Sequence, residues 1–396
     1  MSTGKGRLWL AAGAILLLLL GYGLFQLYFS STSEALRHAE NFLFRRMTAA
    51  QLTDAGQYRF SYVTNRQAGS SEGSLDERFS NQRANQLTYG FFDADIQPSL
   101  GLGMLINPTE WLQNEEIDLL DVRTVAQQTF VTGLREAIDQ SPHGALLIVL
   151  HGFREAFESA LRKTAFLAHV LDIDAPLMLF DWPGNQGTSL RAYHRAHRVA
   201  TESAEELAAT LRVVVDEVRP RQVWILANSM GAQVVVKAVH TLYQSQELAD
   251  PETEIQHVVL TAPDVDGDQF DSQFKREIAA LSDHLTVYVS SNDRALLASR
   301  LINRGGRRGE STLSPDMLQE ATRIVELTDS GSDLITLVDV TPVNRTRNFH
   351  NFSLETPEFF DDLFLRLANP EVPHSRPIYQ VQTPEGRVYS ELTRGR

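Results

Sequence analysis

From residue 145 onward, short apolar runs alternate with longer stretches of helical period. Ala145-Leu-Leu-Ile-Val-Leu150 is apolar without interruption, as a strand buried on both faces requires. The runs Leu177–Phe180, Val223–Ala227, His257–Ala262, Leu285–Ser290 and Ile335–Val340 repeat the signal. Between them the apolar positions recur every three or four residues, predicting helices near 154–171, 189–218, 232 onward, 270–282, 294–303 and 357–367. Pro220 stops the second of these. Strands alternating with helices predict an α/β class with a mostly parallel, doubly wound sheet. Such sheets bind ligands beyond the carboxyl ends of their strands.

Upstream the period is two. Tyr58–Asn65 and Gln86–Ile96 alternate like strands, and segments 67–77 and 98–108 are Gly-, Ser- or Pro-rich loops. The pattern divides the chain into an anchor (1–30), a juxtamembrane segment (31–57), a catalytic-type domain (58–368) and a Pro-bearing tail (369–396) expected to be loosely structured.

The anchor assignment rests on Leu8 to Phe29, an apolar run broken only by Gln26. It matches the roughly 20 residues a membrane helix needs. A cleaved signal peptide is shorter and ends at a small-x-small site; here Phe25, Leu27, Tyr28 and Phe29 close the run. The expectation is a retained transmembrane helix crossing once. Lys5 and Arg7 place the N-terminus inside and the body outside the cytoplasm, against the opposing weight of Arg37, Arg45 and Arg46.

Composition narrows the chemistry. The formal net charge of -14 argues against a nucleic-acid partner and predicts that anionic lipid surfaces repel the body. The absence of cysteine excludes disulfides, thiolate metal sites and a cysteine nucleophile.

Val223-Trp-Ile-Leu-Ala-Asn-Ser-Met-Gly-Ala232 reads as a buried strand feeding a sharp turn with Ser229 at its apex. Small residues flank such a strained turn; Ala227 stands where glycine is more usual. A serine hydroxyl is a weak nucleophile and needs a base and an acid to orient that base. On an α/β sheet with this elbow the chain order is Ser, then Asp or Glu, then His. Asp293 directly follows a strand. Asp264 and Asp266, ending the strand before it, are the alternative acids. His350 follows the last strand by a short loop, whereas His257 and His284 open strands at the opposite edge and His374 lies in the tail. Two backbone N–H groups must face the developing oxyanion, and Met230 and Phe153 in Leu150-His-Gly-Phe153 are the candidates. Gly152, Asp181, Trp182 and Asn228 are expected to line the site, with Trp182 walling an acyl pocket.

The ordered set Tyr62-Val-Thr-Asn-Arg66, Leu87-Thr-Tyr-Gly90, Val149-Leu-His-Gly-Phe153, Phe180-Asp-Trp-Pro183, Ala227-Asn-Ser-Met-Gly231, Ala262-Pro-Asp-Val-Asp266, Tyr288-Val-Ser-Ser-Asn-Asp-Arg-Ala-Leu296 and His350 resembles the alpha/beta hydrolases, and among them a bacterial subfamily of esterase/lipase-like hydrolases of unknown function. The resemblance spans about 58–368. It implies the alpha/beta-hydrolase fold and a triad of Ser229, Asp293 and His350, but no particular substrate. Asn228 departs from the histidine common before the serine in that subfamily.

These features together lead to the expectation of a serine hydrolase for carboxylic esters, small or lipid-like, needing neither metal nor organic cofactor. An acyltransferase on the same fold and a catalytically inactive envelope binding module are the alternatives. Oligomeric state has no signature in the sequence.

Overall fold

The computed structural model describes residues 13, 15–21, 47–52, 56–70, 73–96, 117–245, 254–265, 270–290, 335–346, 352–368, 378–382 and 388–393. In chain order the elements are β1 (Gln57–Ala68), α1 (Leu75–Arg78), β2 (Phe79–Ile96), β3 (Ile117–Val125), α2 (Gln127–Gln140), β4 (Ala145–Leu150), α3 (Phe157–Leu171), β5 (Leu177–Asp181), α4 (Leu190–Glu202), α5 (Ala204–Arg212), β6 (Gln222–Asn228), α6 (Gly231–Ser245), β7 (Glu254–Thr261), α7 (Lys275–Ile278), β8 (Ser282–Val289), β9 (Ile335–Asp339), α8 (Phe352–Glu355), α9 (Pro357–Ala368), β10 (Ile378–Gln382) and β11 (Val388–Leu392).

The strands form one eleven-stranded sheet in the order β10-β11-β9-β8-β7-β6-β4-β5-β1-β2-β3. Its centre, from β1 through β5, β4, β6, β7 and β8 to β9, is parallel; antiparallel pairs occur at β1–β2–β3 and β10–β11. Every residue of β4 is buried. Ala145, Leu147 and Val149 face one core layer with α3 and α9, and Leu146, Ile148 and Leu150 face the other with α2, α4, α5 and α6. The continuous apolar run is thus two interleaved period-2 patterns, each covered by its own helices.

After β4 the chain moves outward to β5 on one side, then returns to lay β6 on the other. The strand order therefore reverses between β4 and β6, with Leu150 in register with Ala227. The crevice beyond these two strand ends is where an open α/β sheet binds its ligand.

Three expectations change. The helix predicted over 189–218 is broken: α4 and α5 meet at Ser203, and a π-helical turn over Val213–Val218 ends at Arg219 in the left-handed conformation, ahead of Pro220. The tail is part of the domain. β10 and β11 form a hairpin, and β11 pairs in parallel with β9. The alternation in Ile378-Tyr-Gln-Val-Gln and Val388-Tyr-Ser-Glu-Leu suits an edge hairpin, and its prolines fall outside the strands. The end of the expected juxtamembrane segment also belongs to the domain: Met47 is buried, and the Thr48 and Ala49 N–H groups donate to Asp174.

Among the described residues no helix is long and apolar enough to cross a membrane, so the expected transmembrane helix has no support there. Residue 13 and residues 15–21 are helical, and Ile15 to Leu20 are exposed; the rest of the apolar run lies outside the described residues.

Leu392 is completely buried. Leu392→Ala is expected to cost about 2–5 kcal/mol in chemical denaturation, as for other core truncations. A loose tail would give no change.

Candidate active site at the strand switch point

β6 ends at Asn228, and Ser229 turns the chain with φ 54°. Few residues other than glycine adopt this left-handed conformation, so the turn must be held by its surroundings. The Ser229 N–H donates to the Thr261 carbonyl (2.9 Å), and its own carbonyl accepts from the Ala232 and Asp264 N–H groups (both 3.1 Å). Apolar strand, elbow and helix α6 therefore form a braced unit.

Two glycines let the neighbouring loop come close. A Cβ on Gly231 would lie 2.5 Å from the His151 carbonyl oxygen. A Cβ on Gly152 would lie 3.0 Å from the Ser229 Cβ and 3.3 Å from the Asn228 carbonyl oxygen. The His151-Gly152-Phe153 turn thus lies directly against the serine. Met230 is fully buried and directly precedes α6, and neither its N–H nor that of Phe153 donates to a backbone acceptor among the described residues. The Phe153 ring meets Tyr193 of α4 edge-on at 5.8 Å.

Beneath this turn lies a buried ionic network. Asp181, at the end of β5, is completely buried. Arg66 of β1 grips it with Nε (2.7 Å) and a second guanidinium nitrogen (3.0 Å). Thr64 donates its hydroxyl at 2.6 Å, and the His151 Nε2 lies 3.0 Å away. Arg66 also donates to the Glu155 and Trp182 carbonyls at 2.9 and 2.8 Å. The Trp182 indole stacks on the His151 ring at 5.5 Å and donates to the His151 carbonyl at 2.9 Å. Burial alone would raise the Asp181 pKa; Arg66 and His151 outweigh it and hold the carboxyl at about 2, below its ordinary 3.8.

This corrects the expected roles of Asp181 and Trp182. Both have no exposed surface, so neither lines an opening or walls an acyl pocket; they support the His151–Phe153 turn from below. Arg66, Thr64 and His151 complete the support, although sequence reasoning singled out none of them individually. The available signal was an arginine at the end of the apolar Tyr62-Val63 alternation, where a strand buries its side chains.

Asn228 has a bridging role. Its Oδ1 accepts from the Thr261 hydroxyl at 3.0 Å and the Ser353 hydroxyl at 3.4 Å. Asp293, Asp266, His350 and the predicted helix 294–303 lie outside the described residues. The flanking segments are described, and they are tied together. Asn344 donates to the Ser290 hydroxyl at 2.9 Å, joining the segment before His350 to the segment before Asp293. Ser353, just after His350 in the chain, reaches Asn228, the neighbour of Ser229. Asp264, the alternative acid, accepts from the Tyr193 hydroxyl at 2.9 Å. Among the described residues no cluster of three or more His, Asp or Glu could hold a metal ion.

A family model described as alpha/beta hydrolase of unknown function (DUF900) matches residues 126–363, and the chain belongs to that family. It is therefore a hydrolase in the general sense. Two similar solved structures are a candidate hydrolase from Agrobacterium vitis S4 (14% identity, TM-score 0.33, covering 72% of this chain and 95% of that one) and a candidate cell-surface hydrolase from Lactobacillus plantarum WCFS1 (11% identity, TM-score 0.32, covering 60% and 95%). No curated protein matches the chain.

Arg66→Met leaves the Asp181 charge buried without its main partner. A loss of about 3–5 kcal/mol is expected in chemical denaturation. Because the folded Asp181 pKa is depressed, its contribution is complete above pH 4 or so and is lost as pH falls toward about 2. Stability measured across that window should fall steeply, and less steeply in Asp181→Asn.

Proposed function

We propose that the protein is a serine hydrolase of carboxylic esters, working through an acyl-enzyme on Ser229. The observation that carries this reading is the left-handed Ser229 elbow at the strand switch point, with the Gly152 turn packed against it. A serine hydroxyl so mounted stands clear of its own strand, at a helix N-terminus that favours negative charge.

His350 takes the hydroxyl proton as Ser229 attacks the ester carbonyl. Asp293 orients the imidazole and stabilises its charged form. The Met230 and Phe153 N–H groups donate to the oxyanion. His350 returns the proton to the departing alcohol, and water, activated by the same imidazole, then releases the acid. Two ties support this triad: Ser353, three residues after His350, bonds Asn228 beside Ser229, and Asn344 bonds Ser290, joining the segments that lead to His350 and Asp293. Asp264 accepts from the Tyr193 hydroxyl. The apolar run Leu8–Phe29 is read as a membrane anchor with the body outside the cytoplasm, and a lipid-like ester suits that setting.

The test is labelling by a fluorophosphonate probe of the full chain beside Ser229→Ala. Labelling that vanishes in the variant supports the reading; a folded wild-type protein that neither labels nor hydrolyses short-chain nitrophenyl esters favours an inactive module. Asp293→Asn should lower kcat by about 10⁴-fold, as loss of the orienting acid does elsewhere. Asp264→Asn should act far less; the reverse order would reassign the acid. Gly152→Ala crowds Ser229 and displaces the Phe153 N–H, and should cost about 10²–10³ in kcat, with a loss of about 1–3 kcal/mol in chemical denaturation from the crowding.

A further inference from the structure

Helix α4 carries charge opposite to that of the protein as a whole. Its inner face, Ala192, Tyr193, Ala196 and Ala200, is buried. Its outer face presents Arg191, His194, Arg195 and Arg198, all exposed, at the spacing that puts side chains on one stripe. Leu190, 52% exposed, begins the helix beside them. Among the described residues none of these three arginines forms an ion pair; Arg195 donates to the Gln186 carbonyl at 2.9 Å. Arg154, exposed and left-handed at φ 72°, adjoins Phe153, whose ring packs on Tyr193. A positive face thus stands on a chain of net charge -14.

Its place matters. Tyr193, on the inner face of α4, donates to Asp264, whose N–H holds the Ser229 carbonyl. The stripe is therefore fixed one side chain away from the elbow.

We propose that the outer face of α4, with Arg154, docks on an anionic bilayer surface and holds the Ser229 site against the lipid. Charge complementarity is the argument for this occupant. An anionic surface repels the acidic remainder of the body and attracts this face, which defines an orientation. A protein partner would call for an apolar or aromatic centre to the patch, whereas the described face offers one leucine at its end. A lipid surface needs only basic side chains within a Debye length and an apolar residue at the interface. Each basic residue near such a surface favours the bound state by a factor of about five, so the three arginines of α4 together contribute about 100-fold.

The chain has no cysteine, which makes a single probe site unambiguous. The full chain bearing Leu190→Cys, labelled with an environment-sensitive fluorophore, is reconstituted in phosphatidylcholine vesicles with and without phosphatidylglycerol. The background is Ser229→Ala, so the reading is independent of catalysis. Leu120→Cys on β3, also exposed, is the control. A blue shift is expected at position 190 in the anionic vesicles alone, reversed by salt. Arg191→Glu, Arg195→Glu and Arg198→Glu together should lower the docked-to-free ratio by about 100-fold or more, with unchanged circular dichroism. A probe at 190 that reports the same surroundings in both vesicles, a shift matched at 120, or a shift that survives the charge reversal overturns the proposal. Fluorophosphonate labelling of the Ser229 protein is unaffected by any of these outcomes, so the docking and the catalytic readings fail separately.

Discussion

The bidentate pair between Arg66 and Asp181 is the contact on which the site depends. Neither side chain has appreciable exposure, so each charge without the other would be stranded in a low-dielectric interior. The pair joins β1 to the end of β5, and through His151 and the Trp182 and Glu155 carbonyls it fixes the turn leaving β4. A buried pair of this kind adds little net stability compared with apolar packing. Its value is directional: four hydrogen-bonding groups, from Thr64, Arg66 and His151, converge on one carboxylate and fix the His151–Phe153 turn above it.

That rigidity matters because the elbow is strained. Ser229 keeps a left-handed backbone because its N–H and carbonyl are both held, by β7 and by the start of α6. Gly152 and Gly231 then allow two backbones to meet where any Cβ would intrude. The support below and the close approach above fix the same stretch of backbone. In the function proposed above, its N–H donors would then need no reorganisation as charge develops.

The charge distribution extends the same logic outward. Inner and outer faces of α4 have different tasks: Tyr193 reaches the elbow, while the arginines face solvent. One helix thereby carries the exposed arginines on one side and, on the other, a tyrosine bonded to Asp264, whose N–H holds the Ser229 carbonyl. Asn228 plays a comparable part on the other flank, through Thr261 and Ser353.

The sequence alone determined the parallel sheet, because strands buried on both faces must be apolar throughout, and β4 and β6 to β9 lie where those runs fall. It also placed Ser229 at the apex of a tight turn between a buried strand and a helix, and the chain turns there with Ser229 in the left-handed conformation. Local pattern failed where structure depends on distant partners. Nothing within Phe180-Asp-Trp-Pro says whether Asp181 and Trp182 face an opening or the interior; Arg66, more than a hundred positions away, decides it. The tail looked loose because its prolines outweigh two five-residue strands, which become stable only when β9 offers an edge to pair with. The positive face of α4 was likewise hidden: its arginines and histidines were visible in the chain, but only the fold shows which side of the helix is covered and that Tyr193 on the covered side bonds Asp264. Burial patterns are local and can be read along a chain, whereas the partner of a buried charge, an edge strand or an exposed face is chosen by tertiary structure.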